Sequence, residues 1–306
     1  MSLTEELKSF LQSAKNPLVV ILGATATGKT DISLKIAKDL NGEIISTDSR
    51  QIYQEMPIAT DTIEDQKGIP HHMLAIRKPD EPFTLAQYKE MALEIIDGIY
   101  ERGHVPILAG GTGLYVSAIT EGYDVPRAAP NEKLRKKLNE EAEKHGAEYI
   151  YEKLKKLDSQ AAKNIHPNNI RYVIRAIEIN KSTKAPKKDK KSQPKFDIFM
   201  LGIQRPREEI YERINKRVDQ QKNTGLLDEV KALVEKGYDP ALPSMTSLGV
   251  KEIIPYIKGE MPLPECLEIL KRNTRRYAKR QMTWLKRYDN VRWLTPKSCQ
   301  SLERSG

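Results

Sequence analysis

A glycine-rich segment between an apolar run and a helical pattern is the strongest structural constraint in this 306-residue sequence. Residues 17–22 (PLVVIL) are apolar and rich in β-branched side chains, which predicts a buried strand. Residues 23–30 (GATATGKT) follow at once and match the phosphate-loop pattern G-x-x-x-x-G-K-[ST]. Residues 31–40 then have the apolar spacing of a helix packed on a sheet. Strand, glycine loop and helix together predict an α/β fold with a parallel sheet.

The phosphate loop predicts a binding site for a diphosphate or a triphosphate. Glycines let backbone N–H groups surround a phosphate, and the following helix adds the positive end of its dipole. Lys29 would place its charge on the terminal phosphate, and the hydroxyl of Thr30 would bind Mg²⁺, the predicted cofactor. The predicted phosphate-binding residues are Gly23, Ala24, Thr25, Ala26, Thr27, Gly28, Lys29 and Thr30.

The rest of the chain predicts a P-loop NTPase-like parallel sheet flanked by helices, with a mostly α-helical insertion domain. Further strands are predicted at residues 43–48, 105–109 and 196–203. After about residue 121 the sequence becomes dense in Lys, Glu and Leu at helical spacing. We therefore predict a core domain of residues 1–121 and 201–306 and a helical insertion of residues 122–200. The lysine-rich segment 181–195, with two prolines, predicts a mobile loop.

The net charge of +9 is unevenly distributed. Residues 1–120 hold 11 Lys and Arg against 16 Asp and Glu, whereas residues 121–306 hold 40 against 26. This asymmetry favours a polyanionic partner such as nucleic acid, although a basic, solvated surface would look the same. No apolar stretch is long enough for a bilayer and the start lacks a signal-peptide pattern, so we expect a cytoplasmic protein without a membrane role.

The residues near the loop bear on the type of reaction. A kinase or ATPase usually has an acid at the end of a second strand to hold Mg²⁺ and water. The predicted strand 105–109 instead runs into Gly-Gly-Thr-Gly. The acid expected at a strand end near the loop is Asp48, and ligands of parallel sheets bind at that end. Asp48 is therefore a candidate catalytic residue; a helix N-cap or an indirect Mg²⁺ ligand are its alternative roles.

Seven segments, in this order, resemble the bacterial tRNA dimethylallyltransferases, also called isopentenyl-tRNA transferases or the IPP transferase family. They are GATATGKT (23–30), STDSRQIY (46–53), PHHML (70–74), LAGGTGLY (108–115), IHPNNIRYVIRAIE (165–178), SLGVKE (247–252) and RRYAKRQMTWL (275–285). The resemblance covers about residues 17–295. Adenylate isopentenyltransferases share the phosphate loop but act on free nucleotides, and the helical insertion and the basic C-terminal helix favour the tRNA enzyme.

The resemblance implies transfer of a dimethylallyl group from dimethylallyl diphosphate to N6 of adenosine 37 in the tRNA anticodon loop. The substrates would be tRNAs that read codons starting with U, and the product N6-dimethylallyladenosine. The loop would then hold a leaving group, which explains the absent water-activating acid. The catalytic residues implied are Asp48 as proton acceptor, with Lys29, Thr30 and Arg217 at the diphosphate. A P-loop small-molecule kinase or ATPase, which would bind ATP, and a non-catalytic RNA-binding protein remain alternatives.

The predicted tRNA contacts come from two sources. The resemblance implies Asp48, Ser49, Arg50, Gln51, Thr112 and Arg135. The residues themselves add the segment 271–287, which has eight Lys or Arg and no acid. Its Arg272, Arg276 and Arg280 fall on one helix face, and Arg171 and Arg175 are likewise four residues apart. Phosphate binding by these arginines predicts a steep loss of tRNA affinity with salt. We expect the protein to act as a monomer.

Overall fold

The computed structural model describes residues 2–63, 66–122, 125, 131–183 and 195–295. The strands are β1 (Pro17–Gly23), β2 (Gly42–Ser46), β3 (His71–His72), β4 (Val105–Gly110), β5 (Asp197–Ile203) and β6 (Val291–Leu294). The helices are α1 (Leu3–Ser13), α2 (Lys29–Leu40), α3 (Pro57–Thr60), α4 (Leu85–Glu101), α5 (Gly113–Thr120), α6 (Glu132–His145), α7 (Ala147–Leu157), α8 (Ser159–Lys163), α9 (Ile170–Thr183), α10 (Arg207–Asn223), α11 (Leu226–Glu235), α12 (Val250–Ile257) and α13 (Leu263–Leu285). Most of the predicted lysine-rich loop, residues 184–194, lies outside the described residues.

The chain forms two compact units, Met1–Thr120 with Pro194–Gly306, and Glu121–Gln193. The predicted insertion range of 122–200 overlaps β5, whose residues pair with β1, so the chain has already returned to the sheet at Asp197. Within the described residues, none of the helices has the length and apolarity needed to span a bilayer.

The first unit is built on one six-stranded sheet in the order β3-β2-β4-β1-β5-β6. All neighbouring strands are parallel, with Val19 of β1 beside Ile107 of β4 and Phe199 of β5. The predicted α/β fold is confirmed. Because the strands are parallel, their C-terminal ends share one edge, and the phosphate loop leaves β1 there.

Apolar side chains cover both faces of this sheet. One face and α2 share a core that includes Val19, Ile21, Ile36, Ile107 and Leu201. The opposite face packs with α4 and α5 through residues that include Val20, Leu22, Ile96, Leu108 and Val116. The helix α4 is capped by Thr84, whose hydroxyl accepts a hydrogen bond from the Gln87 N–H. Alternation of β-branched strands with capped helices therefore fixes the layers around the sheet.

A buried carboxylate ties together the outer strands of the sheet. Glu43 in β2 has a side chain that is 2% exposed. It accepts hydrogen bonds from Arg102 and is also bonded to the rings of His72 and His104. The Arg102 guanidinium, with help from the histidines, lowers the pKa of Glu43 to about 2. The carboxylate is therefore fully paired although it lies inside the fold.

The second unit is helical, as the sequence pattern predicts. Its core consists of Leu138, Ala142, Ile150, Leu154, Ala161, Ala162, Val173, Ile174, Ala176 and Ile177. These apolar positions recur at helical spacing on α6, α7 and α9, so each helix buries one face. The helix α6 begins at Asn131, whose side chain accepts a hydrogen bond from the Leu134 N–H.

Candidate active site

The phosphate loop between β1 and α2 needs glycine at two positions. Gly28 precedes α2 with φ of +89°, a left-handed conformation that side chains disfavour. A Cβ on Gly23 would lie 2.7 Å from Thr27 Oγ1 and 3.0 Å from the carbonyl oxygen of Ile203. The Thr27 hydroxyl donates to the Ala24 carbonyl at 2.8 Å, which closes the loop on itself. The backbone of the loop is thus held in a defined conformation at the position between strand and helix that the sequence motif predicts.

Lys29 is the cation of this loop. Its Nζ donates to the Ala24 carbonyl at 2.8 Å. Burial lowers the pKa of Lys29 to about 8; Asp48 and Asp61 act in the opposite direction, and Arg217 adds to the lowering. Burial therefore disfavours the charged form of Lys29, and an anionic ligand would stabilise that form.

Two arginines that the sequence analysis did not identify bind the loop, one from the segment after β5 and one from α10. Arg205 Nε donates to the Thr27 carbonyl and Arg213 Nε to the Ala26 carbonyl, each at 2.7 Å. Both guanidinium groups lie close to Gly28, within 3.4 and 3.7 Å of the position that a Cβ would take there. The four-residue spacing of Arg213 and Arg217 is the sequence signal for one helix face, but it does not reveal the loop as its partner.

Gln281, on α13, joins the phosphate loop to the glycine turn after β4. Its Oε1 accepts a hydrogen bond from the Thr25 N–H at 2.9 Å, and its Nε2 donates to the Gly111 carbonyl at 3.1 Å. The side chain is buried. Gln281 thereby links the phosphate loop, the turn after β4 and α13, which are distant in sequence, and holds the loop in one conformation. Gln281 was also absent from the predicted site.

A cavity of about 320 Å³, here called the loop cavity, opens at this edge of the sheet. Its lining includes Lys29, Thr30, Asp48, Arg213 and Arg217. Among the described residues, no group of three or more His, Cys, Asp or Glu is arranged to hold a metal ion. Magnesium commonly binds through one or two protein oxygens together with phosphate oxygens. The cavity-lining Thr30 therefore fits a Mg²⁺ ion that arrives with a phosphorylated ligand.

A second cavity of about 390 Å³, the Tyr277 cavity, adjoins the first. Its lining includes Ser49, Arg50, Thr112, Tyr277 and Arg280. Five residues line both cavities: Thr25, Asp48, Thr60, Asp61 and Arg217. The two cavities therefore share a wall formed by these five residues. Ligands bound in the two cavities would lie next to each other at this wall.

Asp48 lies in this shared wall, two residues beyond the end of β2. Its Oδ1 accepts a hydrogen bond from the Arg50 N–H at 2.9 Å, and its own N–H donates to Ser46 Oγ at 3.2 Å. These short-range bonds orient the carboxylate. Among the described residues, Asp48 Oδ2 has no hydrogen-bond partner, so this oxygen remains available to a ligand.

Arg217 and Asp61 form an ion pair in the same wall. Arg217 Nη1 lies 2.8 Å from Asp61 Oδ2 and also donates to Thr25 Oγ1 at 3.0 Å. Burial raises the pKa of Asp61, while Arg217 and Lys29 lower it. The predicted site includes Arg217 but not Asp61, because nothing in the sequence joins residues so far apart.

Five of the predicted RNA-contact residues of the first unit line the Tyr277 cavity: Asp48, Ser49, Arg50, Thr112 and Arg280. Ser49 N–H donates to Thr112 Oγ1 at 3.1 Å. Burial raises the pKa of Tyr277 to about 12, and the Thr112 side chain is hydrogen-bonded to it. The Arg280 guanidinium lies 5.8 Å from the Tyr277 ring centre, an arrangement that gives a cation–π attraction. A planar ring and a cation thus meet at the cavity wall.

The remaining predicted contacts differ in what their side chains touch. Gln51 lines the loop cavity, and both ends of its amide are used, with Ser46 Oγ at 2.9 Å and the Asp61 carbonyl at 3.0 Å. Arg272 and Arg276 are exposed on α13 and line neither cavity. Their spacing leaves them on the same helix face as Arg280.

In the second unit, two of the three predicted contacts are bound to a buried carboxylate. The Glu178 side chain is 1% exposed and accepts two hydrogen bonds from Arg135, at 2.9 and 3.0 Å, and one from Arg175. Arg171 instead lies 5.5 Å from the ring centre of Tyr172, which is 57% exposed. Neither the resemblance, which implied Arg135, nor the helical spacing of Arg171 and Arg175 distinguishes arginines that stabilise the unit from those that face solvent.

Comparison with known proteins agrees with this geometry. Residues 51–288 match the family described as IPP transferase, and residues 16–67 match isopentenyl transferase. A tRNA dimethylallyltransferase from Alkaliphilus oremlandii is 46% identical over 295 residues, 94% of each chain. A tRNA isopentenylpyrophosphate transferase structure from Staphylococcus epidermidis is 41% identical, with a TM-score of 0.69 over 95% of this chain and 97% of that one. A eukaryotic dimethylallyltransferase acting on tRNA superimposes with a TM-score of 0.77 at 28% identity, over 92% of this chain and 74% of the other. The chain therefore belongs to the IPP transferase family of tRNA dimethylallyltransferases.

Proposed function

We propose that this protein transfers a dimethylallyl group from dimethylallyl diphosphate to N6 of adenosine 37 in tRNAs that read codons starting with U. The observation that carries the proposal is the position of Asp48 in the wall between the loop cavity and the Tyr277 cavity. The diphosphate would occupy the loop cavity and the adenine the Tyr277 cavity. Asp48 would then face the nitrogen that attacks.

The reaction breaks the allylic C–O bond and leaves its electron pair on the diphosphate oxygen. Lys29, Arg217 and the loop N–H groups would stabilise this growing negative charge where it develops. Thr30 would hold Mg²⁺, which supplies further charge stabilisation to the diphosphate when bound. In this scheme the loop grips a leaving group, and no residue needs to activate water.

The new bond forms between adenine N6 and the first carbon of the dimethylallyl group. The proton that N6 loses would pass to Asp48 Oδ2, because Oδ1 is already held by the Arg50 N–H. An exocyclic amine is a weak nucleophile, so its orientation by the cavity wall contributes to the rate as well.

The adenine has to leave the stacked anticodon loop to enter the Tyr277 cavity. Tyr277 offers an aromatic surface, and Ser49, Thr112 and Arg280 supply polar groups around it. The exposed Arg272 and Arg276 would bind the RNA backbone beyond the cavity. We propose that the protein works in this way as a cytoplasmic monomer.

A direct transfer assay tests the proposal. The protein is incubated with Mg²⁺, unmodified tRNA containing A36-A37-A38, and either dimethylallyl diphosphate or ATP. We expect isoprenylated adenosine only with dimethylallyl diphosphate. ATP hydrolysis without base modification would instead support a kinase or ATPase, a reading that Gly-Gly-Thr-Gly after β4 already disfavours.

A further inference from the structure

Asp61 is a carboxylate in the shared wall to which the proposed reaction assigns no role. It follows α3 with φ of +52°, and its N–H bonds back to the carbonyl of Ile58. Its own carbonyl accepts a hydrogen bond from Gln51 Nε2 at 3.0 Å. Two backbone bonds therefore hold Asp61 in place independently of its side chain.

The Asp61 carboxylate is paired with Arg217, the cation that the diphosphate would need. Arg217 Nη1 lies 2.8 Å from Asp61 Oδ2, and the same nitrogen donates to Thr25 Oγ1 in the phosphate loop. A guanidinium binds carboxylates and phosphates through the same set of N–H donors. The two anions therefore compete for one group.

The other carboxylates of the loop cavity are placed differently. Asp31, Asp48 and Asp61 line it together with Lys29, Arg213 and Arg217. Among the described residues, only Asp61 of these three forms an ion pair with one of those cations. Asp31 is exposed at the start of α2. The cavity thus contains one internal anion already bound to a cationic residue.

We propose that Asp61 is an internal counter-ion that competes with the diphosphate for Arg217 and so sets how tightly the site holds diphosphate. This inference rests on the proposed function, in which a diphosphate occupies the loop cavity. Competition weakens binding of the substrate and of the released inorganic diphosphate alike. Asp61 is in this sense a positioning residue that acts through Arg217, and it touches no reacting atom.

The test is the affinity for inorganic pyrophosphate with Mg²⁺, measured by calorimetry on the full-length protein. Asp61→Asn keeps the size of the side chain, and asparagine tolerates a left-handed backbone. A partly exposed ion pair such as Arg217–Asp61 contributes up to about 1 kcal/mol, so the variant should bind pyrophosphate about three- to fivefold more tightly. Asp31→Asn removes the same charge from the same cavity without freeing an arginine, and it should change the affinity by less than about twofold.

The Arg217→Gln background isolates the competition. There Asp61→Asn should give no further tightening, because the contested group is gone. Unchanged or weaker binding by Asp61→Asn, with an unchanged melting temperature, would overturn the inference. An equal gain in Asp31→Asn would do the same, since it would reduce the effect to net charge.

Binding and transfer separate the two hypotheses. Pyrophosphate binding that tightens in Asp61→Asn, without any transfer to tRNA by the wild-type protein, would refute the proposed function and leave the counter-ion in place. Transfer by the wild-type protein with no tightening in Asp61→Asn would refute the counter-ion alone. A wild-type protein that does not bind pyrophosphate would refute both.

Discussion

The loop cavity and the Tyr277 cavity share a wall but are built in different ways. The loop cavity is made around one short sequence motif, whose backbone is held by Arg205, Arg213 and Gln281. The Tyr277 cavity brings together side chains from four helices and from the loops between elements, with an aromatic ring beside an arginine. The first is preformed for an anion, and the second presents a planar surface and positive charge suited to RNA. Variants of the two should therefore affect different substrates.

The largest effect is expected at the residue that both cavities share. Asp48→Asn should lower kcat by about 10³-fold, because general-base catalysis by a side chain contributes roughly 10²–10⁴-fold. The affinities for pyrophosphate and tRNA should change by less than about threefold, since the amide keeps the hydrogen bond from Arg50. Single-turnover transfer and binding titrations check this. A rate within about fivefold of wild type would remove Asp48 from proton transfer.

A pH series tests the charge of Lys29 in the loop cavity. Burial lowers the pKa of Lys29 to about 8, so the free protein loses this positive charge as pH rises through 8. The pyrophosphate Kd should therefore rise by up to about tenfold per pH unit above 8, the limit for loss of one required proton. Calorimetry from pH 7 to 9.5 measures it. Lys29→Met should bind weakly with a flat profile; a steep profile in that variant would assign the titration to another group.

A charge removed from the Tyr277 cavity should affect tRNA alone. Arg280→Gln should weaken tRNA binding about three- to tenfold and reduce the salt slope by about 1, because one RNA contact is lost. Arg207→Gln is the matched control: Arg207 is exposed on α10 and lines neither cavity. Fluorescence titrations at several salt concentrations make the comparison. Equal losses in both variants would indicate a diffuse charge effect instead of a site.

The smallest effect on binding is expected outside both cavities. Arg135→Gln should leave the tRNA Kd within about twofold, because its guanidinium already binds Glu178. It should instead destabilise the second unit by about 1–3 kcal/mol, the cost of leaving a buried acceptor without its donors. Thermal unfolding measures this loss. A large rise in the tRNA Kd with an unchanged melting temperature would restore the direct RNA contact that the resemblance implies.

Much of the fold and of the loop cavity could be predicted from local sequence. The strand, the glycine loop and Lys29 form one continuous segment, and the Thr84 cap needs only its next turn. Their interactions are short-range, so residue type and spacing suffice to predict them.

The other parts of the site depend on tertiary contacts. Both Gln281 and Arg213 contact the phosphate loop, and they are 256 and 187 residues away from their partners in it. No local pattern encodes such a pairing. The same limit explains Arg175, which has the spacing of an exposed basic face with Arg171 although it binds the buried Glu178. Helical spacing indicates which residues share a face, but it does not indicate what that face meets.

The order of the strands has a consequence for how the chain folds during synthesis. β1 lies inside the sheet, between β4 and β5, and the whole second unit separates those two strands in sequence. A growing chain can pair β1 with β4 early, but the other edge of β1 stays unpaired until β5 has been synthesised. Exposed apolar strand edges favour aggregation, whereas the helices of the second unit can form through local contacts in the meantime. The sheet is therefore completed late, and one edge of β1 stays unpaired until the ribosome has passed Ile203.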